Sequence, residues 1–179
     1  MQSPAGELCL RWGIKQLDLL SRRMASDLFH DLLHATRTLT IATGGEAGAW
    51  CAPVYFLFYR QGFYFFSSAT SRHIECASTG CAVSVFCEDG DWRHIRGLQM
   101  SGSICAAPHD AGTAVVLEHY LDKFPTVRSL FPDSLGGLEQ FSRTSGNRLY
   151  CFRPARILLT DNAAGFGSRR EIDPGDLHS

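Results

Sequence analysis

Between Phe63 and Cys76 the sequence FYFFSSATSRHIEC passes from an apolar run directly into Ser67, Ser68, Thr70 and Ser71, followed by Arg72 and His73. Hydroxyls, the amides that open a helix and a guanidinium then converge within one turn, which is the donor set a phosphate group requires. The same residues have a purely structural use, with Ser71 as a helix N-cap and Arg72 as a solvated charge. Other chemistry-bearing residues are more scattered. Arg93, His94 and Arg96 suit either an acidic substrate or the solvated end of a hairpin. Cys51 lies in an apolar run, where a thiol touches a cofactor or simply packs. Gln99 offers a donor and an acceptor from a strand. His73, Cys76 and Cys81 come nearest to a metal set, but no Cys-x-x-Cys or His-x-x-x-His pair accompanies them, so no metal is expected. No side chain stands out as a general base, and the catalytic residues are left unassigned.

The elements that must position these residues follow from periodicity. From Leu17 the apolar positions Leu20, Met24, Leu28, Leu32 and Ala35 recur at helical spacing. Residues 1–15 show no clear period and are expected as an arm. The period then changes to two over Thr38 to Thr43, ending at Gly44-Gly45, which marks a hairpin. An aromatic-rich run, Trp50 to Tyr59, turns at Gln61-Gly62 and returns through Phe63 to Phe66. Pro53, without an amide donor, belongs at an edge, a bulge or a cofactor-facing gap. A short helix is expected near Arg72 to Ser78, and strands over Cys81 to Phe86 and Ile95 to Ala106, the latter bent at Gly97 and Gly102. A helix from about Asp110 to Phe124 is stopped by Pro125. Pro132 to Asn147, rich in Gly and Ser, reads as a long mobile connection. Leu149 to Phe152 and Ile157 to Thr160 form a final strand bulged around Pro154, and Asp161 to Ser179 reads as polar.

The whole is expected as mainly β within the α+β class, with about six antiparallel strands closing a small barrel under flanking helices. One domain over residues 16–171, between the arm and a tail over 172–179, suits a chain of 179 residues. A formal charge of −1 leaves no basic field for nucleic acid. The longest apolar run, Cys51 to Tyr59, is far short of the roughly 20 residues of a membrane helix. Glu7, Arg11 and Lys15 break any signal-peptide core, and seven widely spaced cysteines do not form a disulfide framework. These features point to a cytoplasmic protein with reduced thiols.

The strand, serine pair and Ser71-Arg72 resemble the FMN-phosphate motif of the pyridoxamine 5′-phosphate oxidase-like flavoproteins, whose fold is the FMN-binding split barrel. Trp50 to Phe58 (WCAPVYFLF), Ile95 to Gln99 (IRGLQ), and Thr160-Asp161-Asn162 with Gly165-Phe166-Gly167 look like the YhbP-type bacterial subfamily. The likeness runs from about Leu17 to Glu171. It implies FMN as cofactor, its phosphate held by Ser67, Ser68, Ser71, Arg72 and His73, and its ring against the backbone of Cys51, Ala52, Pro53, Val54 and Tyr55. It further implies a homodimer with cofactor sites across the interface, Gln99 reaching a flavin carbonyl, and a flavin-dependent oxidoreductase acting on a small molecule. His73 stands where the oxidase has Lys, which exchanges a permanent cation for a titrating one. The oxidase's C-terminal substrate segment has no counterpart, which argues against pyridoxamine phosphate. The alternative is a barrel that holds flavin or haem without turnover, or one kept cofactor-free for a protein partner. Because twelve Phe and five Tyr are many for a narrow barrel, the aromatic run Tyr55 to Phe66 is expected to supply the dimer interface.

Overall fold

The computed structural model describes residues 4–46, 48–130 and 137–177. Helix α1 (Pro4–Ala35) leads into β1 (Thr38–Thr43), β2 (Trp50–Tyr55), β3 (Leu57–Tyr59) and β4 (Gly62–Ser67). A single turn of helix, α2 (Arg72–Glu75), precedes β5 (Cys81–Cys87) and β6 (Arg96–Ala106). Three helices follow, α3 (Ala111–Lys123), α4 (Pro125–Leu130) and α5 (Leu138–Ser145), and then β7 (Arg148–Asp161) and β8 (Arg169–Ile172). All strand pairs are antiparallel, in the order β2-β1-β5-β6-β7-β4-β3, with β8 also on β7. The sheet curls into a half-barrel flanked by helices, the α+β split-barrel architecture. Its eight strands exceed the expected six for two local reasons. The aromatic run breaks at the fully buried Phe56, and Arg169–Ile172 adds a strand where a polar tail was expected.

The barrel interior holds Phe29, Phe56, Phe63, Phe65 and Phe152, all fully buried, with Leu39, Ile41, Leu98 and Ile157 from alternate strand positions. Burying each such ring stabilises by about 1.5–3 kcal/mol. Phe56, Phe63, Tyr64 and Phe65 of the aromatic run are therefore core, Phe58, Tyr59 and Phe66 are partly buried, and Tyr55 is the ring of that run that stays half exposed. A second cluster on the other side of β4 and β7 packs Tyr64, Leu149 and Cys151 against Val116, Leu117 and Leu121 of α3 and Phe141 of α5.

Several expectations need correction. Helix α1 takes in residues 4–15, which had been set apart as an arm, and its buried face is Ala25, Phe29, Leu32 and Leu33. Of the expected apolar stripe, Leu32 is buried and Leu28 packs against the core, whereas Leu20 and Met24 are exposed, so the stripe holds only over the C-terminal part of the helix. The stretch expected as a connection contains α5, whose Leu138 and Phe141 are buried; residues 132–136 of that stretch lie outside the described residues. Pro125 ends α3 and immediately starts α4, because proline fits the first turn of a helix. Ile172 and Leu177 are buried in the main core, so the segment expected as a tail is packed. The β3–β4 turn is Arg60-Gln61, both at positive φ (43° and 63°), the conformation a two-residue hairpin demands, one residue before the expected Gln61-Gly62. The bend at Gly102 is a register shift against β7.

Candidate functional site

β4 delivers Ser67, buried at the end of its strand, to the turn that opens α2. The Ser67 Oγ donates to Ser71 Oγ at 3.0 Å and lies 2.9 Å from His73 Nε2. A serine has one proton, so His73 Nε2–H donates to Ser67, Ser67 to Ser71, and the Ser71 proton is left to be given onward. Burial holds the His73 imidazole below its ordinary pKa, which fits this neutral tautomer. His73 thus points inward as a prop for Ser67, where it had been expected beside the phosphate as a titrating cation. Ser68 and Thr70 hydroxyls meet at 3.0 Å on the exposed side, and Thr70 N–H donates to Ser68 Oγ at 3.3 Å. Ser71 occupies the N-cap position, its carbonyl accepting from Ile74 and Glu75 N–H, while its hydroxyl makes no capping bond and stays with Ser67.

The α2 turn packs against β1 and β2. There the Arg72 guanidinium lies 4.8 Å from the centre of the Trp50 ring and donates to the Gly48 carbonyl at 3.5 Å. These are weak, half-exposed contacts, and they orient the guanidinium along the mouth of the β1–β2 hairpin.

β2 is an edge strand, which accommodates Pro53 without a lost ladder bond. The pleat sends Cys51, Pro53 and Tyr55 to the exposed outer face and Ala52 and Val54 toward Ile41 and Leu39 of the core. The five expected ring-facing residues therefore do not share one face. What they share is the free backbone edge of the strand. Gln99 is on the same outer face as Pro53 but three strands away, along the row Pro53–Thr40–Ser84–Gln99. At a strand spacing of about 4.8 Å that is roughly 14 Å. Within one chain Gln99 does not join the β2 edge.

Gln99 instead lines an outer-face cavity of about 510 Å³ with Phe86, Gly97, Thr160, Asn162 and Phe166. Gly97 keeps its floor open, since a Cβ there would sit 3.0 Å from the Val85 carbonyl. The Thr160 Oγ1 is buried and without a hydrogen-bond partner. Buried Asn162 ties the rim, donating from Nδ2 to the Trp92 carbonyl at 2.9 Å and accepting from Gly167 N–H at 3.1 Å. Phe166, 84% exposed, stands edge-on to Trp92. The sequence segments carry Thr160, Asn162 and Phe166 only as part of a family resemblance and give Phe86 no role; the strict alternation of β5 places Phe86 outside. Arg93 is committed to Asp91 and His94 to Asp89, so the small basic group is largely neutralised by its own hairpin. Among the described residues no three His, Cys, Asp or Glu side chains come together to hold a metal ion. A larger groove of about 670 Å³ between α1 and β8 is lined by Arg22, paired with Asp176, by Arg156, paired with Glu171, and by Arg170, which donates to the Ser21 carbonyl.

No family model matches the chain. A curated relative, the UPF0306 protein of Cronobacter sakazakii, is 27% identical over 149 residues, 81% of this chain and 92% of that one. Among solved structures, the chain is similar to a Clostridium acetobutylicum protein of the pyridoxine phosphate oxidase family, related to general stress protein 26 (TM-score 0.56, 13% identity, 83% of this chain and 94% of that one). It is also similar to a haem-binding protein of Mycobacterium smegmatis (TM-score 0.61, 13% identity, 82% of this chain and 57% of that one). A FAD-binding protein of Mesorhizobium loti gives a TM-score of 0.53 at 15% identity, over 72% of this chain and 88% of that one. The chain spans little more than half the length of the haem-binding chain. The fold is thus the split barrel of the pyridoxine phosphate oxidase-like proteins; of the three similar structures, one binds haem and one binds FAD. At these identities the likeness concerns fold, and the YhbP-type resemblance rests on the sequence segments alone.

Proposed function

We propose that the chain binds FMN and works as a flavin-dependent oxidoreductase on a small molecule, as a cytoplasmic homodimer. The observation that carries the reading is the serine–arginine turn after β4. There a neutral, buried His73 orders Ser67 and Ser71 so that a hydroxyl proton is given outward, next to Ser68, Thr70 and the Arg72 guanidinium. That donor set fits a phosphate group, and the His73 ring nitrogen Nε2 is engaged by Ser67. The flavin ring then lies along the free edge of β2 from Cys51 to Tyr55, where backbone groups are open to it. When bound, the flavin supplies two-electron chemistry, and the protein supplies orientation and water exclusion.

The dimer is supported by the outer sheet face. Thr38, Thr40, Ala42, Ala82 and Ser84 place small side chains on it beside Gln99, flanked by half-exposed Tyr55 and Phe86. Stacking two such faces brings the Gln99 cavity of one copy toward the β2 edge of the other, which supplies what one chain lacks. Pyridoxamine phosphate is not the proposed substrate. The test is the visible spectrum of the purified protein followed by titration with FMN and riboflavin. A flavin spectrum with FMN bound at least roughly tenfold more tightly than riboflavin is expected. A Soret band, or equal affinity for the two flavins, overturns the reading.

A further inference from the structure

Away from the serine–arginine turn, four reactive side chains gather on the outer face of β4, β6 and β7, and nothing in the proposed function uses them. Cys105 on β6 and Cys151 on β7 are direct antiparallel partners, so their side chains leave the sheet on the same face. Among the paired strand positions described, no other two cysteines stand opposite each other. The Cys105 thiol reaches over β7 and donates to the Cys151 carbonyl at 3.7 Å. Tyr64 is the partner of Cys151 on β4, the Cys151 thiol donates to the Phe152 carbonyl at 3.8 Å, and Arg153 lies near enough to act on both Tyr64 and Cys151 electrostatically. Directly opposed residues of an antiparallel pair have Cα atoms about 4.5 or 5.5 Å apart, and both values fall within the range a disulfide spans. Cys105 is exposed, whereas Cys151 is buried. The two thiols therefore differ in access while sharing one site, the arrangement of an attacking and a resolving cysteine.

We infer that Cys105 and Cys151 form a peroxide-reactive dithiol that closes reversibly to a cross-strand disulfide. The Cys105 thiolate attacks one oxygen of hydrogen peroxide; the S–O bond forms, the O–O bond breaks, and hydroxide leaves, taking up the proton that Cys105 had lost. Cys105 is now a sulfenic acid, oxidised by two electrons. The Cys151 sulfur attacks the Cys105 sulfur, the S–O bond breaks, and the Cys151 proton leaves with that oxygen as a second water. With hydrogen peroxide the sum is two thiols and one peroxide giving one disulfide and two waters. Burial pushes the Cys151 thiol up to about 11, which keeps it protonated and unreactive toward peroxide until the sulfenic acid is beside it. The Arg153 charge favours the anionic sulfur as it forms.

The experiment treats the reduced full-length protein with hydrogen peroxide, quenches with catalase, alkylates the remaining thiols and maps the peptides. A Cys105–Cys151 link that is reversed by dithiothreitol, with Cys51 and Cys87 still alkylated, is expected. Cys151→Ser should stop at a sulfenic acid on Cys105 that dimedone captures. Cys105→Ser, at an exposed position that does not threaten folding, should leave Cys151 reduced. Full alkylation of both thiols after peroxide, a link from either to another cysteine, or Cys151 oxidising as fast in Cys105→Ser as in the wild type would overturn the inference.

Discussion

Replacing Arg72 by Ala separates what the guanidinium does for the fold from what it does for a ligand. In the fold it stacks on Trp50 at 4.8 Å and touches the Gly48 carbonyl at 3.5 Å, both at a half-exposed position. A cation–π contact of that kind contributes about 0.5–1 kcal/mol, so its loss should lower the melting temperature by about 1–4 °C for a chain of this size. Toward a phosphate dianion the same group makes charge-assisted hydrogen bonds worth about 1.5–3 kcal/mol, which is roughly 10- to 150-fold in Kd. Riboflavin lacks the phosphate and should bind wild type and Arg72→Ala alike. The assay is therefore a two-by-two cycle, FMN and riboflavin against both proteins, read by quenching of flavin fluorescence, with thermal unfolding alongside. A coupling near zero, with FMN affinity unchanged in the variant, would remove Arg72 from the site and favour a cofactor-free barrel. An equal loss for both flavins would show that the substitution acts through the hairpin and not through the phosphate.

Three further outcomes are expected. Because burial lowers the folded pKa of His73 below about 6.5, its unfolded value, the unfolded chain binds more protons between those two values. Its contribution to stability is whole above about pH 6.5 and declines as pH drops toward the folded pKa, so FMN affinity should not rise in acid as a phosphate-facing imidazolium would require. His73→Gln keeps a donor for Ser67 and should flatten that part of the pH profile; identical urea midpoints against pH for the two proteins would refute the inward role. Gly102→Ala would drive a Cβ into the Arg153 carbonyl oxygen and to 2.9 Å from the Pro154 Cα, backbone atoms that cannot turn aside, and should cost about 1–3 kcal/mol by urea denaturation; an unchanged midpoint would contradict the bulge packing. Ala82→Glu sets a carboxylate in the middle of the outer sheet face and should yield monomers by light scattering while the circular dichroism stays native; a variant that remains a dimer would move the interface elsewhere.

The features that sequence alone determined are those decided by neighbours a few residues apart. Period-two alternation placed β1, turn and glycine signals bounded β5 and β6, Pro125 stopped α3, and paired glycines and a Gln-Gly step marked the hairpins to within a residue. The serine–arginine turn was legible for the same reason, because its donors lie within six residues of chain. What tertiary structure decided was direction and partnership. Whether His73 faces a ligand or Ser67 depends on the barrel wall that buries it, and no local pattern encodes that wall. Helix α5, in a Gly- and Ser-rich stretch of weak propensity, exists because Leu138 and Phe141 find a pocket against α3 and β4. Strand β8 exists because β7 offers it an unpaired edge. The separation of Gln99 from Pro53 across two intervening strands, and the meeting of Cys105 with Cys151 across forty-six residues, follow from strand order and register. Register is set by burying one whole face of the sheet at once, a cooperative choice made over the entire chain, so it could be known only after folding.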